Sequence, residues 1–140
     1  MLERHAEQVA ALLNERNHLT VKYTAEKVRD EAEAYLLEID NDVVVGCVEV
    51  RYVQWYQWEI RHLSVRSSHE GKGLGKRLIQ QAEERALGGG ARIVQCTIRV
   101  GNIASEESFR RSGYREACCF FNARSGGYIA VWQKVLVHRS

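Results

Sequence analysis

The sequence predicts an α/β (α+β) fold on a mixed sheet of about six strands. Three observations predict it. Apolar residues recur at helical spacing near the N-terminus and again after residue 73. From Tyr35 to Val65, β-branched and aromatic runs alternate with turn residues, the pattern of an antiparallel meander. Further runs of the same kind follow at 92–100 and 114–137, interleaved with short helical segments. The 140 residues, 45% hydrophobic and 27% charged, fit one globular domain over residues 1–140. That composition excludes a disordered chain, a collagen and a disulfide scaffold. No apolar run approaches the ~18 residues of a membrane span. Met1-Leu2-Glu3-Arg4-His5 has no apolar stretch behind a basic start, so no secretory leader and a cytoplasmic location are expected. A net charge of +2 is too mild to argue by itself for nucleic acid, which is not the expected partner.

The elements follow in order. Residues 2–16 carry Leu2, Ala6, Val9, Ala10 and Leu13 among charged residues, the stripe of an amphipathic helix. Asn17 to Thr20 reads as a polar connection. A short helix is expected over Thr24–Glu33, with the Thr24 hydroxyl capping an unpaired N–H of the first turn. Tyr35–Ile39 opens the meander, Asp40-Asn41-Asp42 turns it, and Val43–Val53 and Trp58–Val65 complete it. Leu74–Leu87 puts Leu74, Leu78, Ile79, Ala82 and Ala86 on one helical face, and Gly88-Gly89-Gly90 ends that helix. Arg92–Val100 is a strand and Ile103–Arg111 a short helix. Tyr114–Phe121 and Tyr128–Val137 are two last strands, joined through Asn122–Gly127.

Cys47, Cys96, Cys118 and Cys119 form no Cys-x-x-Cys pair and have no histidine at ligand spacing. They are read as buried, reduced thiols, and no metal is expected. Trp55, Tyr56 and Trp58 cluster at a turn, where packing over the sheet and contact with a substrate are both readings.

The segment that points to chemistry is Glu70-Gly71-Lys72-Gly73-Leu74-Gly75, between a strand and an amphipathic helix. Glycines let backbone N–H groups approach a ligand closely, and a helix N-terminus offers unpaired donors with a partial positive charge. Arg61, Arg66, Lys72, Lys76 and Arg77 lie in or near it, with His62 and His69, and Glu70 is the only acid among residues 61–77. The local field therefore favours an anion such as a pyrophosphate. A P-loop is absent, and the spacing is not the Gly-x-Gly-x-x-Gly of a dinucleotide fold.

From about Tyr35 to Leu136 the chain resembles the GCN5-related N-acetyltransferase (GNAT) superfamily. Leu63-Ser64-Val65 is similar to the end of the family's fourth strand. Glu70 to Gly75 matches its Gln/Arg-x-x-Gly-x-Gly/Ala loop. Asn102 matches an Asn after the fifth strand, and Ser108 to Tyr114 matches Leu-Tyr-x-x-x-Gly-Phe. The resemblance implies a GNAT fold with helices on both faces and a sheet splayed between the fourth and fifth family strands. The family's first strand is expected to be missing, and the sheet margin so exposed would favour a homodimer. It implies direct transfer of an acetyl group from acetyl-CoA to a primary amine, of a small molecule or a lysine-type side chain. Leu63, Ser64 and Val65 would hold the pantetheine arm, with the Val65 N–H polarising the thioester carbonyl. Glu70, Gly71, Lys72, Gly73, Leu74, Gly75 and Lys76 would cradle the pyrophosphate, and Asn102 and Ser105 would meet the cofactor from the other side.

Three positions depart from the family pattern. Glu70 replaces Gln or Arg, which is mildly unfavourable beside a pyrophosphate unless the carboxylate faces solvent or pairs with Lys72 or Lys76. Phe109 replaces a Tyr that protonates the departing thiolate, and reads equally as a core aromatic. Thr97 occupies a fifth-strand place where some members carry a Glu base. Glu59, favoured, and His62 remain as base candidates on the fourth strand, and alternation puts them on opposite faces. An inactive acyl-CoA-binding module and a basic protein- or nucleic-acid-binding surface are the alternative readings. The loop between the first helices, the Trp55–Trp58 turn and the Asn122–Gly127 loop would set the acceptor, and carry no motif for one.

Overall fold

The computed structural model describes residues 1–17 and 21–136. Residues 18–20 of the expected polar connection, and Val137 at the end of the last expected strand, lie outside the described residues. Helix α1 spans Glu3–Arg16 and buries Ala6, Val9, Ala10, Leu12 and Leu13. Helix α2 spans Ala25–Asp30, and the Thr24 hydroxyl accepts from the Lys27 N–H at 3.2 Å. The helix expected to reach Glu33 stops at Asp30, and Ala32–Ala34 tightens into a 3₁₀ turn. Around that turn Arg85 donates to the Glu33 carbonyl at 2.7 Å, one of the C-terminal carbonyls a helix leaves without an internal partner, and Arg51 donates to the Glu31 carboxylate at 2.8 Å.

Strands β1 (Tyr35–Asp40), β2 (Val43–Gln54) and β3 (Gln57–Val65) form the antiparallel meander. Asn41 and Asp42 both have positive φ, the twist a tight hairpin needs. Helix α3 (Leu74–Gly88) crosses to β4 (Ile93–Arg99), and α4 (Ile103–Arg111) leads to β5 (Arg115–Asn122) and β6 (Gly127–Val135). The six strands lie in the order β1-β2-β3-β4-β6-β5, and all pairs are antiparallel except β3–β4.

Helices cover both faces. On one face α1 and α2 pack Val9, Leu13 and Val28 against Tyr35, Val44 and Cys47. On the other, α3 and α4 pack Leu78, Ile79, Ala82 and Phe109 against Val48, Val50, Ile60, Val94, Ile98 and Trp132. Among the described residues, no helix is long and apolar enough to cross a membrane.

Cys47 and Cys96 are buried, but Cys118 and Cys119 are exposed, contrary to expectation. Strand β5 is outermost, and residues 115–121 are all exposed. Alternation along a strand buries one side chain of a pair only where something covers that face. At the aromatic turn, Trp58 packs under the core beside Gly89, while Trp55 is 66% exposed with Tyr56 against its ring edge.

Candidate active site

The parallel pairing of β3 with β4 lasts three residues, Gln57–Ile93, Trp58–Val94 and Glu59–Gln95. Both strands then continue, to Val65 and Arg99, without pairing to each other. The sheet therefore splays open in its middle. Arg66 N–H donates to the Val45 carbonyl on β2 at 2.8 Å. Successive N–H groups of a strand point in opposite directions, so that of Val65 points away from β2, into the splay. Leu63 and Val65 are half-buried against the α3 side of the core. Ser64 is buried, accepts from Asn17 Nδ2 at 2.9 Å, and ties the end of α1 to β3.

The glycine-rich turn sits beside this opening, and a Cβ on Gly75 would meet the Leu63 and Val65 side chains at 4.0 Å. Gly73 caps α3 with φ +80°, a conformation a β-carbon disfavours. No side chain among the described residues caps that helix. Among the described residues, no acceptor takes the N–H groups of residues 71–76, and no acid stands in the first turn. A Cβ on Gly73 would meet nothing within 4 Å among the described residues. Glu70, the residue at odds with an anion, pairs with Arg16 at the end of α1 rather than with Lys72 or Lys76. Lys72, Leu74 and Lys76 complete the turn. The residues present fit a pyrophosphate: unpaired donors, lysines, and a neutralised carboxylate.

On the far wall, Asn102 caps α4, its Oδ1 accepting from the Ser105 N–H at 3.3 Å. Phe109 is buried, edge-on to Tyr114 with ring centroids 5.0 Å apart. Its ring is part of the core and has no proton to give. Tyr114, also buried, donates to Glu83 at 2.7 Å.

The base candidates are arranged differently from the expectation. Between Cys47–Ser64 and Glu49–Arg61 the β2–β3 register shifts, and His62 adopts φ +51°. This bulge resets the alternation, so Glu59, Arg61 and His62 all face the α1/α2 side, not opposite sides. Glu59 is paired with Arg61 Nε at 2.6 Å. His62 Nδ1 lies 2.9 Å from Glu49 Oε1.

Glu49 was not singled out by the sequence. It is fully buried and takes four donors: the Tyr23 and Tyr35 hydroxyls, Arg51 Nε and His62 Nδ1. Burial alone would raise its carboxyl; hydrogen bonds from His62 and Arg51, the His62 charge and the Tyr35 hydroxyl outweigh that and hold it at about 2. Burial, with Glu49 beside it, pushes the Tyr23 hydroxyl up to about 12. The signal for Glu49 was a single charge inside Val43–Val50, an otherwise apolar run. Among the described residues no three His, Cys, Asp or Glu side chains converge on one metal position.

The sequence matches the model of the family described as "Acetyltransferase (GNAT) family" over residues 3–114. No curated protein matches it. Solved structures share the fold. Ard1 from Thermoplasma volcanium aligns at TM-score 0.85 and 15% identity, over 99% of this chain and 95% of that one. Ribosomal-protein-alanine N-acetyltransferase from Brucella melitensis aligns at 0.82 and 18%, over 97% of each. A family acetyltransferase from Elizabethkingia anophelis with acetyl-CoA bound aligns at 0.75 and 13%, over 90% of this chain and 89% of that one.

Proposed function

Since the chain belongs to the GNAT acetyltransferase family, we propose that it is an acetyl-CoA-dependent N-acetyltransferase that acts on a primary amine by direct transfer, as one domain over residues 1–140. The observation that carries this reading is the juxtaposition of the splay with the unpaired N–H groups of residues 71–76. Structural neighbours from Elizabethkingia anophelis and Mycobacterium tuberculosis were crystallised with acetyl-CoA or CoA, which supports the donor.

When bound, acetyl-CoA supplies the acetyl group as a thioester. Residues 71–76 would hold its pyrophosphate, with Gly71 and Gly73 exposing the backbone and Lys72 and Lys76 adding charge. Leu63, Ser64 and Val65 would line the pantetheine arm, and the Val65 N–H would polarise the carbonyl. Asn102 and Ser105 would close the site from the α4 side. Orientation of two reactants in the splay would supply most of the rate, with proton transfer added. No protein tyrosine stands at position 109, and a thiol with an ordinary pKa near 8.5 is a fair leaving group without one.

Isothermal titration with acetyl-CoA, with CoA and ATP as controls, tests the reading, followed by thiol release with a panel of primary amines. Saturable acetyl-CoA binding and amine-dependent release are expected. The burial of Phe109 favours one second reading, an acyl-CoA-binding module; binding without release from any amine would select it. No binding by folded protein would end both.

A further inference from the structure

The carboxylate behind His62 takes four donors, and three of them do not come from the histidine. Glu49 Oε1 accepts from the Tyr35 hydroxyl at 2.9 Å and the Tyr23 hydroxyl at 3.1 Å, and Oε2 accepts from Arg51 Nε at 2.9 Å. These three engage both oxygens, and Arg51 balances the charge. His62 is thus not required to satisfy Glu49. It is nevertheless held beside it in a left-handed backbone conformation that glycine would adopt without strain. A strained histidine at a bulge, with its first nitrogen fixed on Glu49 at 2.9 Å, draws attention to its second.

The bond to Glu49 defines that second nitrogen. An ionised carboxylate only accepts, so the neutral ring carries its proton on Nδ1 and a lone pair on Nε2. Nε2 has no partner among the described residues, and a quarter of the side chain stays exposed. The ring stands edge-on to Tyr23, which leads out of the α1–α2 connection, and lies three residues before Val65, whose N–H faces the splay. The titratable and charged groups around the pair are Tyr23, Tyr35, Arg51 with its second partner Glu31, and the Glu59–Arg61 pair. Of these only Tyr23 approaches Nδ1, at 3.2 Å, and its hydroxyl proton goes to Glu49.

We infer that Glu49 is a positioning residue: by accepting the Nδ1 proton it presents His62 Nε2 as the base that deprotonates the acceptor ammonium. The inference rests on the acetyltransferase reading. In the step, one N–H bond of the ammonium breaks and its proton moves to Nε2. The freed lone pair bonds to the thioester carbonyl carbon, and the C–S bond breaks with its electrons on sulfur. The nitrogen's second proton passes to the thiolate, and His62 returns its own to solvent.

Long-range ¹H–¹⁵N NMR of histidine-labelled protein at pH 8 reads the tautomer, with the His62 signal assigned by its loss in His62→Asn. The expected result is Nδ1–H in the wild-type protein and a shift toward Nε2–H in Glu49→Gln. In thiol-release assays, His62→Asn is expected to lower kcat at least 100-fold and to remove the acid limb of the kcat/KM profile. Glu49→Gln is expected to lower kcat at least 30-fold, with acetyl-CoA affinity within threefold of wild type. Val28→Ala, which loosens the same core cluster without touching the network, is expected to leave the acid limb in place. Should Glu49→Gln not fold, the wild-type tautomer and His62→Asn decide. An Nε2–H tautomer in the wild type, or a His62→Asn kcat within threefold, overturns this inference while acetyl-CoA binding and turnover stand. A wild-type protein without binding or turnover overturns both readings.

Discussion

Glu59 and His62, three positions apart on β3, face the same side of the sheet, because the bulge at His62 inserts one residue against β2. Two ion pairs thus share that side in different surroundings. Arg61 in the Glu59 pair is half exposed, whereas Arg51 holds a fully buried Glu49.

That contrast predicts different costs. Arg61→Ala is expected to change unfolding free energy by less than about 1 kcal/mol. Arg51→Ala, which leaves a buried carboxylate short of its cation, is expected to cost on the order of 3 kcal/mol or more. Urea denaturation of both variants measures the difference.

Glu49 also makes stability depend on acid. Its folded-state carboxyl is held at about 2, below its ordinary 4.5. A lowered folded-state pKa contributes stability above the unfolded value and loses it as pH falls through the folded one. The contribution, on the order of 3 kcal/mol, is complete above about pH 4.5 and is gone near pH 2. Thermal melting followed from pH 7 to pH 2 should show wild type losing more stability across this window than Glu49→Gln.

The cysteines should divide by place in the sheet. Burial pushes the Cys47 thiol up to about 12 and raises that of Cys96 as well, whereas Cys118 and Cys119 are exposed. A chromogenic disulfide reagent is expected to label two thiols in native protein and all four only after unfolding.

The turn at residues 71–76 can be tested apart from catalysis. Gly73→Asp puts a carboxylate into the open space before the α3 N-terminus and a side chain on a residue with φ +80°. Acetyl-CoA affinity measured by titration is expected to fall at least 100-fold, with a stability loss of about 1 kcal/mol from the backbone. Unchanged affinity would remove this turn from the binding site.

What the sequence could reveal depended on how local the cause was. The α3 stripe, the Thr24 cap and the glycine turn follow from spacing within a dozen residues, and all were legible. The side on which His62 lies was not, since the bulge exists only in the pairing of two strands. Glu49 draws its partners from residues 23, 35, 51 and 62, which only the folded chain gathers. Exposure of Cys118 and Cys119 follows from β6 lying between β5 and the rest of the sheet, a matter of strand order that no local pattern encodes.

The early parting of β3 and β4 gives this sheet four edges instead of two. Beyond Glu59 and Gln95 each inner strand is bonded on one side only, β3 to β2 and β4 to β6. Backbone N–H and C=O groups are obligatory hydrogen-bonding groups, so the inner rims are vacancies in a ladder. An extended molecule bearing amides, if bound there as proposed, would act as a replaceable strand. The fold would then have a component that comes and goes with concentration. At a hundred times its dissociation constant, such a ligand would add about 2.7 kcal/mol to the stability of the whole chain. The resistance of the protein to heat and proteolysis would then report how much of that ligand surrounds it.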